Sequence, residues 1–178
     1  RQIFAGTYVM RRDLFIDMIK KAHNTSAMYS LMDWVNLMCN ELDIRGVAHR
    51  GYFGSITDFK SYYDTSMSLI DLKTARSLFY PDWPIYTRTS DSCPTQYLEG
   101  ADVKASVISN GCRIEGTIDH SILSRGCIIK KGAVVKNCVI LPDVVIGEDT
   151  VLENVVVDKH VRINHIKEVK GTPEHPGY

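Results

Sequence analysis

The 178-residue chain is long enough for one large or two small domains with a buried core, and 44% of its residues are hydrophobic. Its 21 basic residues balance its 21 acidic residues, so global charge offers no attraction to nucleic acid or to an anionic membrane. Because no apolar run approaches the ~18 residues of a membrane span, we expect neither nucleic acid nor a membrane as a partner.

The first 79 residues carry the element order of an α/β domain. In chain order they predict a strand over 3–10, helices over 13–21 and 30–42, an extended stretch over 44–56, a helix ending at Leu69 and a helix over 72–79. The residues placed to cap the last three helices are Ser26 or Ser30, Thr57 or Asp58, and Asp71. These strands are too few to close a sheet, and a core strand lies unusually near residue 1. We therefore expect an N-terminal portion of the protein to precede this chain.

Residues 80–103 differ in composition from the segments on either side. Pro81, Pro84 and Pro94 cannot take part in regular ladders, and the Ser/Thr/Asp-rich stretch among them cannot build a core. This composition predicts an interdomain linker that follows the α/β part of the chain, residues 1–79.

A six-residue repeat organises the chain from about residue 104 onward. The aliphatic residues that carry it are Ile122, Ile128, Val134, Ile140, Ile146 and Leu152. Four positions after each comes a small or β-branched residue, from Gly126 to Val156. This period fits neither a 3.6-residue helix nor the two-residue alternation of a strand. It fits a triangular coil of ~18 residues, in which each face contributes one inward aliphatic and one small corner residue.

The repeat therefore predicts a parallel β-helix over residues 104–166, followed by a tail over 167–178. A length of about 60 residues corresponds to roughly three to four stacked coils. Such a short β-helix leaves open ends and an aliphatic flank, so we expect the chain to self-associate through it.

Cysteine and histidine are the residue types that would most readily reveal chemistry in this chain. The five cysteines lack zinc-like spacing, and we interpret them as reduced thiols that fill small apolar positions in a cytosolic protein. His120 and His160 are the candidates for the general base of a hexapeptide acyltransferase, although the repeat slips at His120 and favours a loop or corner there. No Ser/His/Asp set, metal cluster or Gly-rich phosphate loop is evident, so the sequence predicts no metal site.

Five segments match one known family in the same order along the chain. They are residues 5–10 (AGTYVM), 51–56 (GYFGSI), 83–87 (WPIYT), 137–147 (NCVILPDVVIG) and 155–163 (VVVDKHVRI). On these segments the chain resembles the C-terminal half of ADP-glucose pyrophosphorylase (glucose-1-phosphate adenylyltransferase). The resemblance implies that residues 1–79 are the end of a nucleotidyltransferase-type α/β domain. It also implies a left-handed β-helix and a preceding half that binds the nucleotide.

The resemblance also places a sugar-phosphate and Mg²⁺ site partly in this half of active family members. Of that site Tyr8 is kept, whereas Phe4 occupies the position of a family serine and Tyr29-Ser30 that of an Asp-Phe pair. In the family's Trp-x-Asp motif the tryptophan becomes Phe53 and the metal-binding aspartate becomes Ser55.

Magnesium prefers anionic oxygen ligands at ~2.1 Å, and a serine hydroxyl is a neutral substitute. We therefore expect Tyr8, Phe53 and Ser55 to form a degenerate substrate site with no catalytic residue and no cofactor in this chain. Asp58, three residues after Ser55, is the alternative source of a carboxylate.

A family scaffold without its acidic site resembles the GlgD-type subunit of the bacterial enzyme. That resemblance implies a regulatory, non-catalytic or weakly catalytic cytoplasmic protein, which joins a catalytic homologue in a heterotetramer that makes ADP-glucose for glycogen. Lys159 matches a family cation that touches an anionic effector. Arg162 is close to it in sequence, although this side chain could simply face solvent. Two alternatives stay open: an active sugar-1-phosphate nucleotidyltransferase, and a hexapeptide-repeat acyltransferase or binding protein.

Overall fold

The structure, a computed structural model, describes residues 4–25 and 30–178. The chain divides into two compact units, residues 1–49 and 50–178. The first unit contains helix α1 (Arg12–Thr25) and helix α2 (Leu31–Leu37). Met18 of α1 and Trp34 of α2 are the buried large side chains of this unit's described part.

The structure alters the predicted elements of the first unit. Residues 4–10 were predicted as a core strand but form none, and Val9 is 97% exposed, because no described strand offers them a ladder. Ser30 caps α2 as predicted, but the helix ends at Leu37 rather than at residue 42. Ser26 lies outside the described residues. The nucleotidyltransferase-type fold of residues 1–79 stays a prediction.

Two capped helices open the second unit, as the sequence predicts. Helix α3 (Phe59–Ser68) is capped by Asp58, whose side chain accepts a hydrogen bond from the Ser61 backbone N–H. Helix α4 (Leu72–Leu78) is capped by Asp71, whose side chain accepts a hydrogen bond from the Thr74 backbone N–H. Each carboxylate satisfies a backbone donor that the first turn of a helix leaves free.

The rest of the second unit consists of short strands with one inward face each. In chain order they are β1 (Gln96–Tyr97), β2 (Asp102–Lys104), β3 (Val107–Ile108), β4 (Arg113–Ile114), β5 (Thr117–Asp119), β6 (Ile122–Leu123), β7 (Ile128–Ile129), β8 (Val134–Lys136), β9 (Val139–Ile140), β10 (Val145–Ile146), β11 (Val151–Glu153), β12 (Val156–Val157), β13 (Arg162–Ile163) and β14 (Glu168–Lys170).

These strands stack into three parallel sheets, which form the three faces of the predicted β-helix. Face A has the order β1-β4-β7-β10-β13, face B the order β2-β5-β8-β11-β14 and face C the order β3-β6-β9-β12. Every pairing is parallel, and strands β1 to β12 make about four coils. The parallel β-helix fold is therefore confirmed. In the described part of the chain no helix is long and apolar enough to cross a membrane.

The coil is shorter than predicted, and this shifts the inward row. Arg113 pairs with Ile128 after 15 residues, and Val145 pairs with Ile128 after 17 rather than 18, so the later of these two coils contains two six-residue steps and one five-residue step. The five-residue step runs from Val135 to Ile140, both of which are 0% exposed. From there on the predicted inward residues are right, since Ile146 and Leu152 are also fully buried.

Before that step the predicted inward row is wrong by one residue. The side chains that fill the core there are Leu123, Ile129 and Val135, each 0% exposed. The residues predicted in their place, which are only partly buried, are Ile122, Ile128 and Val134. A second inward row of small residues lies two positions before the aliphatic one, and it includes Cys127, Ala133, Cys138, Val144 and Thr150.

The β-helix extends beyond both of its predicted ends. Strand β1 lies inside the predicted linker, residues 80–103, and pairs with β4. Strand β14 lies inside the predicted tail, residues 167–178, and pairs with β11. Gly177 then bridges to Val155 and continues face C by one position. The described linker is therefore confined to about residues 80–95, and the tail completes the last coil.

Helix α3 covers the later coils of face C. Tyr63, 5% exposed, packs against the outward side chains of Val139 and Val156, which are buried at 2% and 7%. Its hydroxyl donates a 2.7 Å hydrogen bond to the carbonyl of Asn137. Residues 50–79 thus form one compact unit with the β-helix, whereas the sequence grouped them with residues 1–49.

Replacing Tyr63 by phenylalanine should lower the free energy of unfolding by about 1 kcal/mol, because the Asn137 carbonyl loses its donor while the ring packing stays. Urea unfolding followed by circular dichroism measures this change. Tyr62→Phe on the same helix is the matched control and should be nearly neutral, since no described partner binds its hydroxyl. Equal losses in the two variants would contradict the assigned role of the Tyr63 hydroxyl.

The cysteines fall into two groups, of which only one fills the core. Cys112, Cys127 and Cys138 are buried free thiols inside the β-helix, as predicted for small apolar fillers. Cys39 and Cys93 are free but exposed, so that interpretation is wrong for them. Burial raises the pKa of the Cys138 thiol to about 12, because the thiolate would lose its hydration.

The buried Cys138 thiol should make the fold less stable at alkaline pH. An unfolded cysteine ionises near pH ~8.5, so only the unfolded state loses this proton between that pH and the folded-state pKa. Stability should therefore fall as pH rises above ~8.5. Urea midpoints between about pH 7 and pH 11 should decline less steeply in Cys138→Val than in the wild type. Cys93→Val, which removes an exposed thiol, should leave the slope unchanged, and a slope unaffected by Cys138→Val would refute the assignment.

Candidate functional site

The loop over residues 51–56 holds two of the three predicted substrate-site residues. Phe53 is 55% exposed and Ser55 is exposed, just before the N-terminus of α3. The loop lies against this helix, because the Tyr52 and Ser68 hydroxyls are hydrogen-bonded at 3.1 Å. A Cβ added at Gly54 would lie 2.8 Å from Thr65 Cγ2, so the backbone approaches α3 closely there. The helix thus positions the Ser55 segment.

Asp58, the alternative carboxylate, is engaged as the cap of α3. Its Oδ1 accepts a 2.7 Å hydrogen bond from the Ser61 backbone N–H, and the Ser61 hydroxyl donates to its carbonyl at 2.9 Å. The hydrogen bond from the Ser61 backbone holds the pKa of the Asp58 carboxyl below its ordinary value. A move toward a ligand at Ser55 would break this capping box.

The donor chemistry around Ser55 does not fit Mg²⁺. The serine offers one neutral hydroxyl, and the nearest carboxylate in sequence, Asp58, is committed to its helix. Within residues 4–25 and 30–178, no three His, Cys, Asp or Glu side chains converge as a metal site would require.

Tyr8, the third predicted substrate-site residue, belongs to the first unit. It is partly buried, and its ring lies 4.8 Å from that of Phe4, which the resemblance places at a serine position of the family. Ser30 caps α2 with its side chain, while Tyr29 lies outside the described residues. Tyr8 belongs to one compact unit and Phe53 and Ser55 to the other, so the common site of these three residues stays a prediction.

The predicted effector residues lie near one corner of the β-helix: Lys159 is in the turn between β12 and β13, and Arg162 is the first residue of β13. Lys159 and Arg162 are both exposed, and neither forms an ion pair with a described residue. The Asp158 side chain accepts a 2.7 Å hydrogen bond from the Lys159 backbone N–H. Asp143 lies on the neighbouring coil, with its Oδ2 3.5 Å from His160 Nδ1. Cations and carboxylates therefore meet at this corner.

An apolar cavity lies where α3 meets face C, next to that corner. Its volume is about 420 Å³, and it is lined by Phe59, Tyr62, Leu141, Val156, Asp158 and Tyr178. The Phe59 and Tyr178 rings meet edge to face, with centroids 5.2 Å apart. Sequence reasoning missed the cavity because it assigned α3 to another domain; the available signal was the pair of outward aliphatic residues Val139 and Val156.

The two acyltransferase candidates lie at corners of the coil. His120 and His160 have φ angles of +43° and +62°, in the left-handed region that histidine, asparagine and aspartate tolerate better than most residues. His120 Nδ1 lies 3.1 Å from Asn137 Oδ1 on the next coil. The predicted corner position of His120 is confirmed, and both rings contact the adjacent coil rather than a described nucleophile.

Comparisons with known proteins place these features in context. The hexapeptide family described as "GlmU-like, C-terminal hexapeptide" matches residues 94–175, which is the β-helix as the structure shows it. The glycogen biosynthesis protein GlgD of Bacillus subtilis (strain 168) is 40% identical over 169 residues, covering 95% of this chain and 49% of that protein.

Two further relatives match smaller parts of the chain. GlgD of Geobacillus stearothermophilus is 37% identical over 128 residues, or 72% of this chain and 37% of that protein. Glucose-1-phosphate adenylyltransferase of Streptomyces coelicolor is 37% identical over 86 residues, or 48% of this chain and 22% of that protein. The chain thus spans about half the length, or less, of the curated relatives it matches.

Proposed function

This chain is a homologue of the GlgD glycogen biosynthesis proteins and of the glucose-1-phosphate adenylyltransferases, and from that premise we propose that it forms part of a regulatory subunit of such an adenylyltransferase. The subunit is non-catalytic or only weakly catalytic. The observation that carries the proposal is Ser55, an exposed neutral hydroxyl at the position of the family's metal-binding carboxylate.

The loss of that carboxylate bears directly on the chemistry of the family. Adenylyl transfer develops negative charge on the phosphoryl group, and a bound divalent ion is its main stabiliser. Ser55 cannot replace an anionic ligand, and Asp58 would have to leave its capping box to do so. We therefore assign no catalytic residue and no cofactor to this chain, and we regard Tyr8, Phe53 and Ser55 as a degenerate substrate site.

The partners follow from the same proposal. A regulatory subunit requires a catalytic homologue, and we expect the two to form a heterotetramer in the cytoplasm. The β-helix supports self-association as well, since β1, β2 and β3 end their sheets with unpaired strand edges. Val107, at the edge strand of face C, is 44% exposed.

An anionic effector is proposed at the corner that carries Lys159 and Arg162. Both cations are exposed and form no ion pair within the described residues, so their charges are available to a phosphate. Lys159 supplies a point charge, whereas an arginine would supply a bidentate fork. The carboxylates of Asp143 and Asp158 at the same corner oppose the anion and should keep its binding weak.

The proposal is tested by titrating the full-length protein into its catalytic homologue and measuring adenylyl transfer from ATP to glucose-1-phosphate. We expect the mixture to differ from the homologue alone in rate or in effector response. Lys159→Ala should weaken the effector response of the mixture, whereas Lys131→Ala, which removes another exposed lysine, should not. A catalytic homologue whose rate and effector response ignore the added protein at every ratio would refute the proposal.

A further inference from the structure

The outward surface of face B carries two parallel rows of side chains. One residue of each strand belongs to a charged row, which alternates in sign along the stack: Lys104, Asp119, Lys136, Glu153 and Lys170. Two positions earlier in each strand lies a second row, with valines at its centre: Asp102, Thr117, Val134, Val151 and Glu168. Neighbouring strands of a sheet are ~4.8 Å apart, so successive members of a row are near neighbours.

The end strands of face B satisfy their charges internally, whereas Lys136 near the centre of the face does not. Lys104 pairs with Asp102 at 2.8 Å, and Lys170 forms an ion pair with Glu168. Lys136 is exposed and forms no ion pair with any described residue. Strand β8 therefore presents an unpaired charge, that of Lys136, beside the partly exposed side chains of Val134 and Val151.

We propose that face B is a self-complementary surface on which a second copy of this chain docks. The occupant follows from the alternation of charge. A two-fold axis parallel to the strands reverses the order of the coils while keeping each row opposite its own counterpart. When the axis passes between β8 and β11, Lys136 meets Glu153 of the second copy, and the same contact recurs by symmetry.

Two other observations favour this register over its neighbours. It sets Val134 opposite Val151 of the second copy, so the apolar side chains meet at the centre, and it sets Asp119 opposite Lys170 of the second copy. An axis through β8 would instead place Lys136 against its own equivalent. Sheets pack face to face at about 10 Å, a separation that lysine and glutamate side chains span from opposite sides.

This inference rests on the self-association proposed above and names its face, register and contacts. Alternating charges also attract one another along the stack within one chain, so the test must separate the two effects. Reversing the charge at one position weakens both the attraction along the stack within one chain and the contact between two copies. Mixing two different variants restores only the contact between copies.

Sedimentation velocity on the full chain, as wild type, Lys136→Glu and Glu153→Lys, provides that test. Each variant alone places like charges opposite each other twice per dimer, and its dissociation constant should rise at least ~10-fold. An equimolar mixture of the two variants should bring back tight dimers, because the carboxylate introduced in one variant then lies opposite the ammonium group introduced in the other. Lys73→Glu, the same charge change on exposed α4, is the matched control and should leave the affinity unchanged.

Three outcomes would overturn the inference. A wild-type chain that stays monomeric at high micromolar concentration shows that no such dimer exists. Dimers indifferent to both variants show that another surface is used. A mixture whose dissociation constant is no lower than those of the single variants shows that the charged row acts only within one chain. None of these results changes the rate of the catalytic homologue, so the regulatory proposal would stand or fall on its own test.

Discussion

Replacing Ile129 by alanine is expected to lower the free energy of unfolding by about 2–5 kcal/mol. Ile129 is 0% exposed and lies in the aliphatic column of face A, in register with Ile114 below and Ile146 above. Both neighbours are held by their own strands, so the cavity left by the missing atoms cannot close easily. Urea unfolding followed by circular dichroism measures the loss.

The preceding residue supplies a matched control for this prediction. Ile128 is the same amino acid on the same strand, but it points outward and is only partly buried. Ile128→Ala should therefore cost less than about 1 kcal/mol. A larger loss for Ile128→Ala than for Ile129→Ala would mean that the six-residue row read from the sequence, and not the structure, gives the inward register.

Gly116→Ala is expected to lower the free energy of unfolding by about 2 kcal/mol or more, through overpacking rather than a cavity. Gly116 is buried, and a Cβ there would lie 2.4 Å from the Ala133 carbonyl oxygen and 3.0 Å from that of Lys130. Both atoms belong to the backbone of the next coil, which cannot move without disturbing its own ladder. Urea unfolding followed by circular dichroism measures the loss. A variant that does not give the wild-type spectrum would have been destabilised so far that it no longer folds.

Gly46→Ala is the control for the glycine prediction. A Cβ at Gly46 meets nothing within 4 Å, and the substitution reduces the freedom of the unfolded chain. It should be neutral or slightly stabilising in the same urea experiment. Equal behaviour of the two variants would contradict the close approach of coils at Gly116.

The fold of the repeat could be predicted from the sequence because its period is unlike that of a helix or an ordinary strand. Which residue of each strand points inward could not be predicted from the sequence, because most strands carry two adjacent aliphatic residues, as in Ile122–Leu123 and Ile128–Ile129. Either residue of such a doublet fits the pattern, and only the stacking of coils selects one. The five-residue step from Val135 to Ile140 then hides the error in the second half of the repeat.

The ends of the β-helix and the position of α3 depend on contacts that no local pattern contains. Strand β1 is Gln96–Tyr97, with no aliphatic residue, and it exists because β4 offers it a ladder. Helix α3 was predicted with its cap, yet its packing on face C arises from side chains distant in sequence, such as Tyr63 and Val156. The cavity beside Asp158 follows from that packing and was therefore out of reach.

The substrate-site residues were predicted from a resemblance to a known family, because no local spacing or periodicity marks them. Phe53 and Ser55 stand on an exposed loop, and neither forms a pattern that sequence periodicity can detect. The structure shows why Asp58 is a poor source of the carboxylate that Ser55 lacks: its own carboxylate caps α3.

We propose that the protein regulates adenylyl transfer without performing it. The most direct test is the Mg²⁺-dependent formation of ADP-glucose from ATP and glucose-1-phosphate by the full-length protein alone. We expect no turnover, or only a small fraction of the rate of the catalytic homologue at equal concentration. Robust Mg²⁺-dependent turnover by the protein alone would contradict it and would show that Ser55 does not disable the site.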